Sequence, residues 1–395
     1  MDPKVLFVIT ITTARMFMPG MSGLAKIPGM NMPDMSAPTR TITMDLTSDQ
    51  KPQESYKAEC AIPEGLKLGP KVDLKIDIPE KSTTSQESFS EDESTADKSG
   101  DMKMKTYWGC GQSIPDGQPK ILDTKSMGMI SQQSFKSGKL KTSATSRIID
   151  KDNTHAYWPN GDFKGIAKDA AAAPGDYDLT TNFCGQTKVM LKGTQDFLEA
   201  IEIMEPGKKG ADVTKAIPIK WKAVANAKAY LLMAFASSGN EIVTWTSSSS
   251  PDFPMDLQYK AIKKSDLDDY VKKGILLPGD ATSCCIPAGV FSGKESPMLA
   301  IIAFGADKIQ DRNGIEANVV IRSTATMTLG AAMQMEDDDE SDEPDEAKVK
   351  KDDVGEEEEV ENDDSADVVD QADEALDKIE KTDNVINRAK RIFKR

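Results

Sequence analysis

The chain has 395 residues, of which 29% are charged, and a formal net charge of −16. Eighteen carboxylates and only three lysines fall within residues 336–364, a net of −15, so the acidity is local and the remainder is nearly neutral. A neutral body joined to an acidic segment has no basic surface for phosphates, which argues against a nucleic-acid partner, and 38% hydrophobic residues leave material for cores in two ordinary domains.

Residues 5–11 read VLFVITI, preceded by Lys4 and followed by Thr12, Thr13 and Ala14. This is the pattern of a secretory signal over residues 1–14, with an apolar centre and a small-residue cleavage site. It implies an exported protein of the periplasm, cell envelope or extracellular space. The alternative is an ordinary N-terminal strand in a cytoplasmic protein. No other apolar run approaches the ~20 residues of a membrane span. Residues 15–38 are dense in Met, Pro and Gly, which break both helix and strand, and read as an arm. From residue 39, TRTITMDLT, YKAECAIP and KVDLKIDIP alternate with period two, as half-buried strands do. Residues 81–101 carry Ser, Thr and acid with almost no apolar side chain, and read as a disordered loop. Strand patterns resume at MKMKTYWGC, GQPKILD, THAYWPN, DYDLTTNFC and QTKVMLKG, which makes residues 39–195 a β-rich domain.

A second β unit is expected over residues 196–335, with strands at FLEAIEIMEP, IPIKWKAV, AYLLMAFAS, EIVTWTSS, SCCIPAGVF, MLAIIAFG and NVVIRSTATMTLG. Helical spacing appears once, in residues 265–277, with Ser265 as its N-cap. Ile219, Trp221, Val224, Ala227, Tyr230 and Leu232 resemble the B and C strands of fibronectin type III and related immunoglobulin-like modules. The resemblance spans about residues 196–330, with the helix as a departure. It implies a sandwich with Trp221 between two sheets and Ala227 at the corner joining the strands. The phrase Pro174-Gly175-Asp176-Tyr177 is similar to the corner where a tyrosine closes a Greek-key sandwich, so the first domain is expected to be of the same class. The fold expected is mainly β: two sandwiches, an acidic disordered tether (336–364) and an amphipathic helix (365–395).

Among twenty methionines, five Met-x-Met pairs occur: Met16/Met18, Met30/Met32, Met102/Met104, Met127/Met129 and Met333/Met335. Thioethers are soft donors that select Cu(I), so Met16, Met18, Met30 and Met32 are candidate copper ligands; the alternative is a low-complexity linker with gap-filling methionines. Five cysteines allow at most two internal disulfides. Cys284 and Cys285 are candidates for a strained, redox-active adjacent bridge, or for two thiols buried as small hydrophobes. Cys60 with Cys110 or Cys184 is the more ordinary staple. His155 is the only histidine, which rules out a multi-histidine metal site and reads as structural. Tyr107, Trp108, Tyr157 and Trp158 are candidates for a sugar or ligand face, with core packing as the alternative. In the tail, Leu376, Ile379, Ile386 and Phe393 lie on one helical stripe, with acids before it and bases after. A lone stripe beyond a tether needs a cover: another copy, another protein or an anionic membrane surface. The function expected is non-catalytic binding, display or scaffolding at the cell envelope. A Cu(I)-binding protein and an enzyme, for instance a carbohydrate-active one, are the alternatives.

Overall fold

A computed structural model describes residues 5–17, 37–50, 55–77, 103–123, 153–159, 172–207, 210–252, 254, 256–293 and 296–330. Met18, Met30 and Met32, the loop 81–101, the tether and the tail stripe of Leu376, Ile379, Ile386 and Phe393 lie outside the described residues.

The described chain is mainly β. Its strands are β1 (Val5–Phe17), β2 (Thr39–Ser48), β3 (Ala58–Ala61), β4 (Lys71–Asp73), β5 (Lys75–Asp77), β6 (Lys103–Trp108), β7 (Lys120–Asp123), β8 (Thr154–Trp158), β9 (Gly175–Thr181) and β10 (Gln186–Leu191). They continue with β11 (Ile203–Glu205), β12 (Ile217–Trp221), β13 (Ala229–Ser238) and β14 (Glu241–Thr246), then helix α1 (Lys264–Lys272). The last are β15 (Leu277–Pro278), β16 (Ser283–Ile286), β17 (Met298–Phe304), β18 (Lys308–Arg312) and β19 (Ile315–Thr328). Twelve form one sheet in the order β5-β8-β2-β1-β19-β17-β13-β14-β6-β7, with β15 on β13 and β18 on β19. A four-stranded sheet (β10-β9-β3-β4) and a three-stranded sheet (β11-β12-β16) complete the set.

Alternation decides which face of the large sheet is buried. In β1, Val5, Phe7, Ile9 and Ile11 are 0–3% exposed. They share one core with Ile42, Met44 and Leu46 of β2, Val319 and Ile321 of β19, Tyr177 and Val189 of the four-stranded sheet, and Ile219 and Trp221 of the three-stranded sheet. The two small sheets thus close a sandwich against the inner face of the large one. Two polar residues on that inner face, Thr13 and Ser323, donate to the carbonyls of Leu198 (2.7 Å) and Glu199 (2.8 Å). The free carbonyls of β10 are capped from β18 and the turn after it: Lys308 donates to Met190 (2.6 Å), Gln310 to Lys188 (2.6 Å) and Asn313 to Gln186 (3.4 Å). Side chains thereby blunt an edge that would otherwise template further pairing.

Residues 5–11 lie in β1, which is placed between β2 and β19 and hydrogen-bonds to both. Beside the expected boundary at 195/196, Leu198 and Ile201 are buried in the common core. Strands from either side of it interleave, with β6 pairing with β14 and β1 with β19. Helix α1 starts at Lys264 rather than after Ser265; Lys263 is its N-cap without a side-chain cap, and Ser265 bonds Asp266 instead. It ends at Lys272, and Leu277 belongs to β15.

Tyr177 and Trp221 each make a defined contact. The Tyr177 hydroxyl donates to the Ala173 carbonyl at 2.8 Å, fixing the chain ahead of β9. Trp221, on the three-stranded sheet, stacks tilted against Tyr230 of the large sheet at 5.3 Å between ring centroids. The Tyr230 hydroxyl accepts the Val224 N–H at 3.0 Å.

On the opposite side of the large sheet, α1 and its flanking loops cover Ala229, Leu231, Ile302 and Phe304 with Leu257, Ile262, Leu267 and Leu276. A buried ion pair pins this layer. Arg322 Nη1 donates to both Asp307 oxygens (2.7 and 2.9 Å), while Nη2 donates to the carbonyls of Leu257 (3.2 Å) and Lys260 (2.8 Å). Asp307 also accepts the Ile262 and Ile321 N–H groups. Burial pushes the Asp307 carboxyl up, and Arg322 with the two amides pulls against it. Asp307→Leu strands a desolvated guanidinium and is expected to cost about 3–5 kcal/mol, most of it recovered by adding Arg322→Met. Urea denaturation of both variants checks this. A single-variant loss of only ~1 kcal/mol, the value of an exposed pair, would refute the desolvated reading.

Candidate functional site: the outer face of the large sheet

In β1 the residues between the core positions, Leu6, Val8, Thr10, Thr12, Ala14 and Met16, point outward. Register sets Thr10 opposite Thr43, Thr12 opposite Thr41 and Ala14 opposite Thr39 of β2. On the other side, Ala14 faces Thr324 and Met16 faces Thr326 of β19. The result is a lattice of hydroxyls, with strands about 4.8 Å apart and same-face residues about 6.7 Å apart along each strand. Most of these threonines are half-exposed, in contrast to the strands beneath α1. Besides Glu316 of β19, opposite Leu6, charge lies at the β5–β8 margin. There Asp45 and Lys75 flank Tyr157, and Thr47 and Asp77 flank His155. Lys75 Nζ lies 5.6 Å from the Tyr157 ring centre and 3.8 Å from Asp77. Thr47 Oγ1 and His155 Nδ1 are 3.4 Å apart.

This chemistry suits hydrogen bonding to a flat partner. Among the described residues no group of three or more His, Cys, Asp or Glu is placed to hold a metal ion. Asn318, on the same face of β19, donates to Glu316 at 2.8 Å.

The four aromatic candidates do not form one ligand face. Neighbours along a strand point to opposite sides, so neither Tyr-Trp pair presents both rings together. Tyr107 is in the core and Trp158 packs against it. Trp108 and Tyr157 point outward, but six strands separate β6 from β8.

The cysteine expectations are also corrected. Cys110, in the loop after β6, is disulfide-bonded to Cys284 of β16, with Cα atoms 5.6 Å apart. Cys284 and Cys285 are on opposite faces of their strand, which prevents an adjacent bridge. The Cys110 loop lies along β16, with Gly111 N–H donating to Cys285 O (3.0 Å) and Ala288 N–H to Gln112 O (3.1 Å). Cys60, Cys184 and Cys285 are free thiols. Burial, with a smaller contribution from Asp178, pushes the Cys60 thiol up to about 12, so it is inert at neutral pH. Burial also raises the Cys184 and Cys285 thiols.

No protein family, curated protein or solved structure matches this chain. No described helix is long and apolar enough to cross a membrane.

Of the copper candidates, Met16 is the one within the described residues, and it is exposed. A second exposed methionine on the same face, Met298, is invisible to sequence reasoning because it carries no Met-x-Met partner.

Proposed function

We propose that the protein is a non-catalytic binding or display protein of an oxidising compartment at the cell envelope or outside it. The threonine-lined half of the outer face is its contact surface, and residues 365–395 dock it to a protein partner or an anionic membrane surface. The observation that carries this reading is the contrast within one sheet face: α1 covers the β13–β17 part, while the β2–β1–β19 part presents aligned, half-exposed hydroxyls. The Cys110–Cys284 disulfide supports the compartment. The reading requires β1 to remain in the mature chain.

The test is fractionation of cells quenched in acid and alkylated, with Cys110 and Cys284 read by mass spectrometry. The expected result is protein in the envelope or external fraction with both cysteines protected. Removing residues 365–395, or introducing Thr12→Lys with Thr43→Lys, is expected to release it into the soluble fraction. Alkylated Cys110 and Cys284 in a cytoplasmic pool would reject the proposal, as would unchanged retention of both variants.

A further inference from the structure

The twelve-stranded sheet ends in β5 on one side and β7 on the other, and no described strand pairs with the outer edge of either. Of the nine pairings that lead from β5 to β7, only β1 with β19 and β14 with β6 are parallel, so the two end strands run in opposite directions. A neighbouring copy that continues the sheet therefore meets it antiparallel. The backbone groups agree. Gln118 clasps the N–H and C=O of Trp108 just ahead of β7, which turns the even-numbered residues of β6 towards β7. Lys120 and Leu122 bond to them in register, so the N–H and C=O of Ile121 face the free edge. At the other end, Gly305 N–H donates to Ile321 O (2.9 Å) and Leu329 N–H to Pro297 O (2.6 Å), which turns the odd-numbered residues of β19 towards β17. Carried in register through β1, β2 and β8, this directs Lys75 and Asp77 to β8 and leaves Ile76 facing the free edge. The side chains agree as well. Ile76 lies opposite Ala156, and Ile121 lies opposite Lys105, itself opposite Val243, so both isoleucines are on the inner face. Ile121 is 52% exposed, a large apolar side chain at an uncovered edge.

We propose that β7 of one copy pairs antiparallel with β5 of the next, extending the large sheet head to tail through successive copies of this chain. Ile121 faces Ile76 as the bonded pair, which exchanges two backbone hydrogen bonds. In that register Lys120 falls opposite Asp77 on the outer face, a charge match, and Leu122 falls opposite Lys75, whose aliphatic stem covers it. A two-fold pairing of β5 with β5 also sets Lys75 against Asp77, but it leaves Ile121 and the β7 edge bare. Two different edges meet in the head-to-tail contact, so it repeats from copy to copy unless the rotation closes a ring. Such an array sets the threonine faces of successive copies side by side, which goes beyond the single-chain contact surface proposed above.

The test is sedimentation velocity of the full-length protein over a rising concentration series, with negative-stain microscopy of the same samples. The expected result is species larger than a dimer that grow with concentration. Ile121→Pro removes the outward N–H while Lys120 and Leu122 keep their bonds to β6, and is expected to abolish assembly with an unchanged melting midpoint. Should proline disturb β7, the charges give a separate readout. Lys120→Asp or Asp77→Lys alone is expected to weaken assembly by about threefold, and the two together in one chain to restore it. A wild type that stays monomeric at every concentration would overturn the proposal. So would assembly that survives Ile121→Pro or stops at a dimer, the mark of β5 meeting β5, and so would charge variants whose combination restores nothing.

Discussion

A chain lacking residues 1–14 is expected to show no cooperative unfolding transition by circular dichroism. Those residues supply most of β1, which pairs with β2 from Val5 to Ala14 and with β19 from Leu6 to Phe17. Val5, Phe7, Ile9 and Ile11 are buried in the core. At about 1.5–3 kcal/mol for each buried side chain, their burial is worth roughly 6–12 kcal/mol. That is comparable to the ~5–15 kcal/mol that holds a whole domain folded. Truncation also opens two long edges in the middle of the sheet, which favours aggregation. Ile9→Ala is the milder form of the experiment and is expected to cost about 2–5 kcal/mol. A truncated chain that melts like the full-length protein would show that β1 is dispensable and favour the removable-leader reading of residues 1–14.

Cys110→Ser is expected to remove up to about 5 kcal/mol, from the loop-entropy relation applied to a sequence separation of 174 residues. The effect acts through the unfolded chain, because the native loop has other holds. Trp245 Nε1 donates to Gly109 O (3.0 Å), and Gln118 clasps both the N–H and the carbonyl of Trp108 (2.9 and 3.0 Å). Cys110 is the better site for the substitution because Cys284 is only 8% exposed and its replacement would disturb the core. The denaturation midpoint should fall in the variant, and reductant should lower the wild type to the same value while leaving the variant unmoved. Equal stabilities with and without the bridge would mean that the three-stranded sheet holds the loop after β6 unaided.

Much of the local structure was legible. TRTITMDLT alternates clearly with period two, and in the fold Ile42, Met44 and Leu46 turn inward and Thr41 and Thr43 outward. Tyr177 acts on a carbonyl four residues away, and Trp221 meets Tyr230 across one sheet gap. β1 reads ambiguously for a physical reason: its outward positions include Leu6 and Val8, so both faces are apolar and the alternation vanishes into a continuous run. Ser265 was misread because α1 is held by the packing of Leu267 and not by a side-chain cap.

From its residues alone, the chain declares itself mainly β and fixes which side chains of most strands turn inward, since a pleat is written in neighbours two positions apart. Which strands become partners was settled only by folding. The pairing of β1 with β19, the joining of Cys110 to Cys284 and the splitting of the aromatic candidates all involve residues far apart in sequence. Each depends on the best use of a shared core and on which edges remain unpaired, and no local pattern encodes that competition.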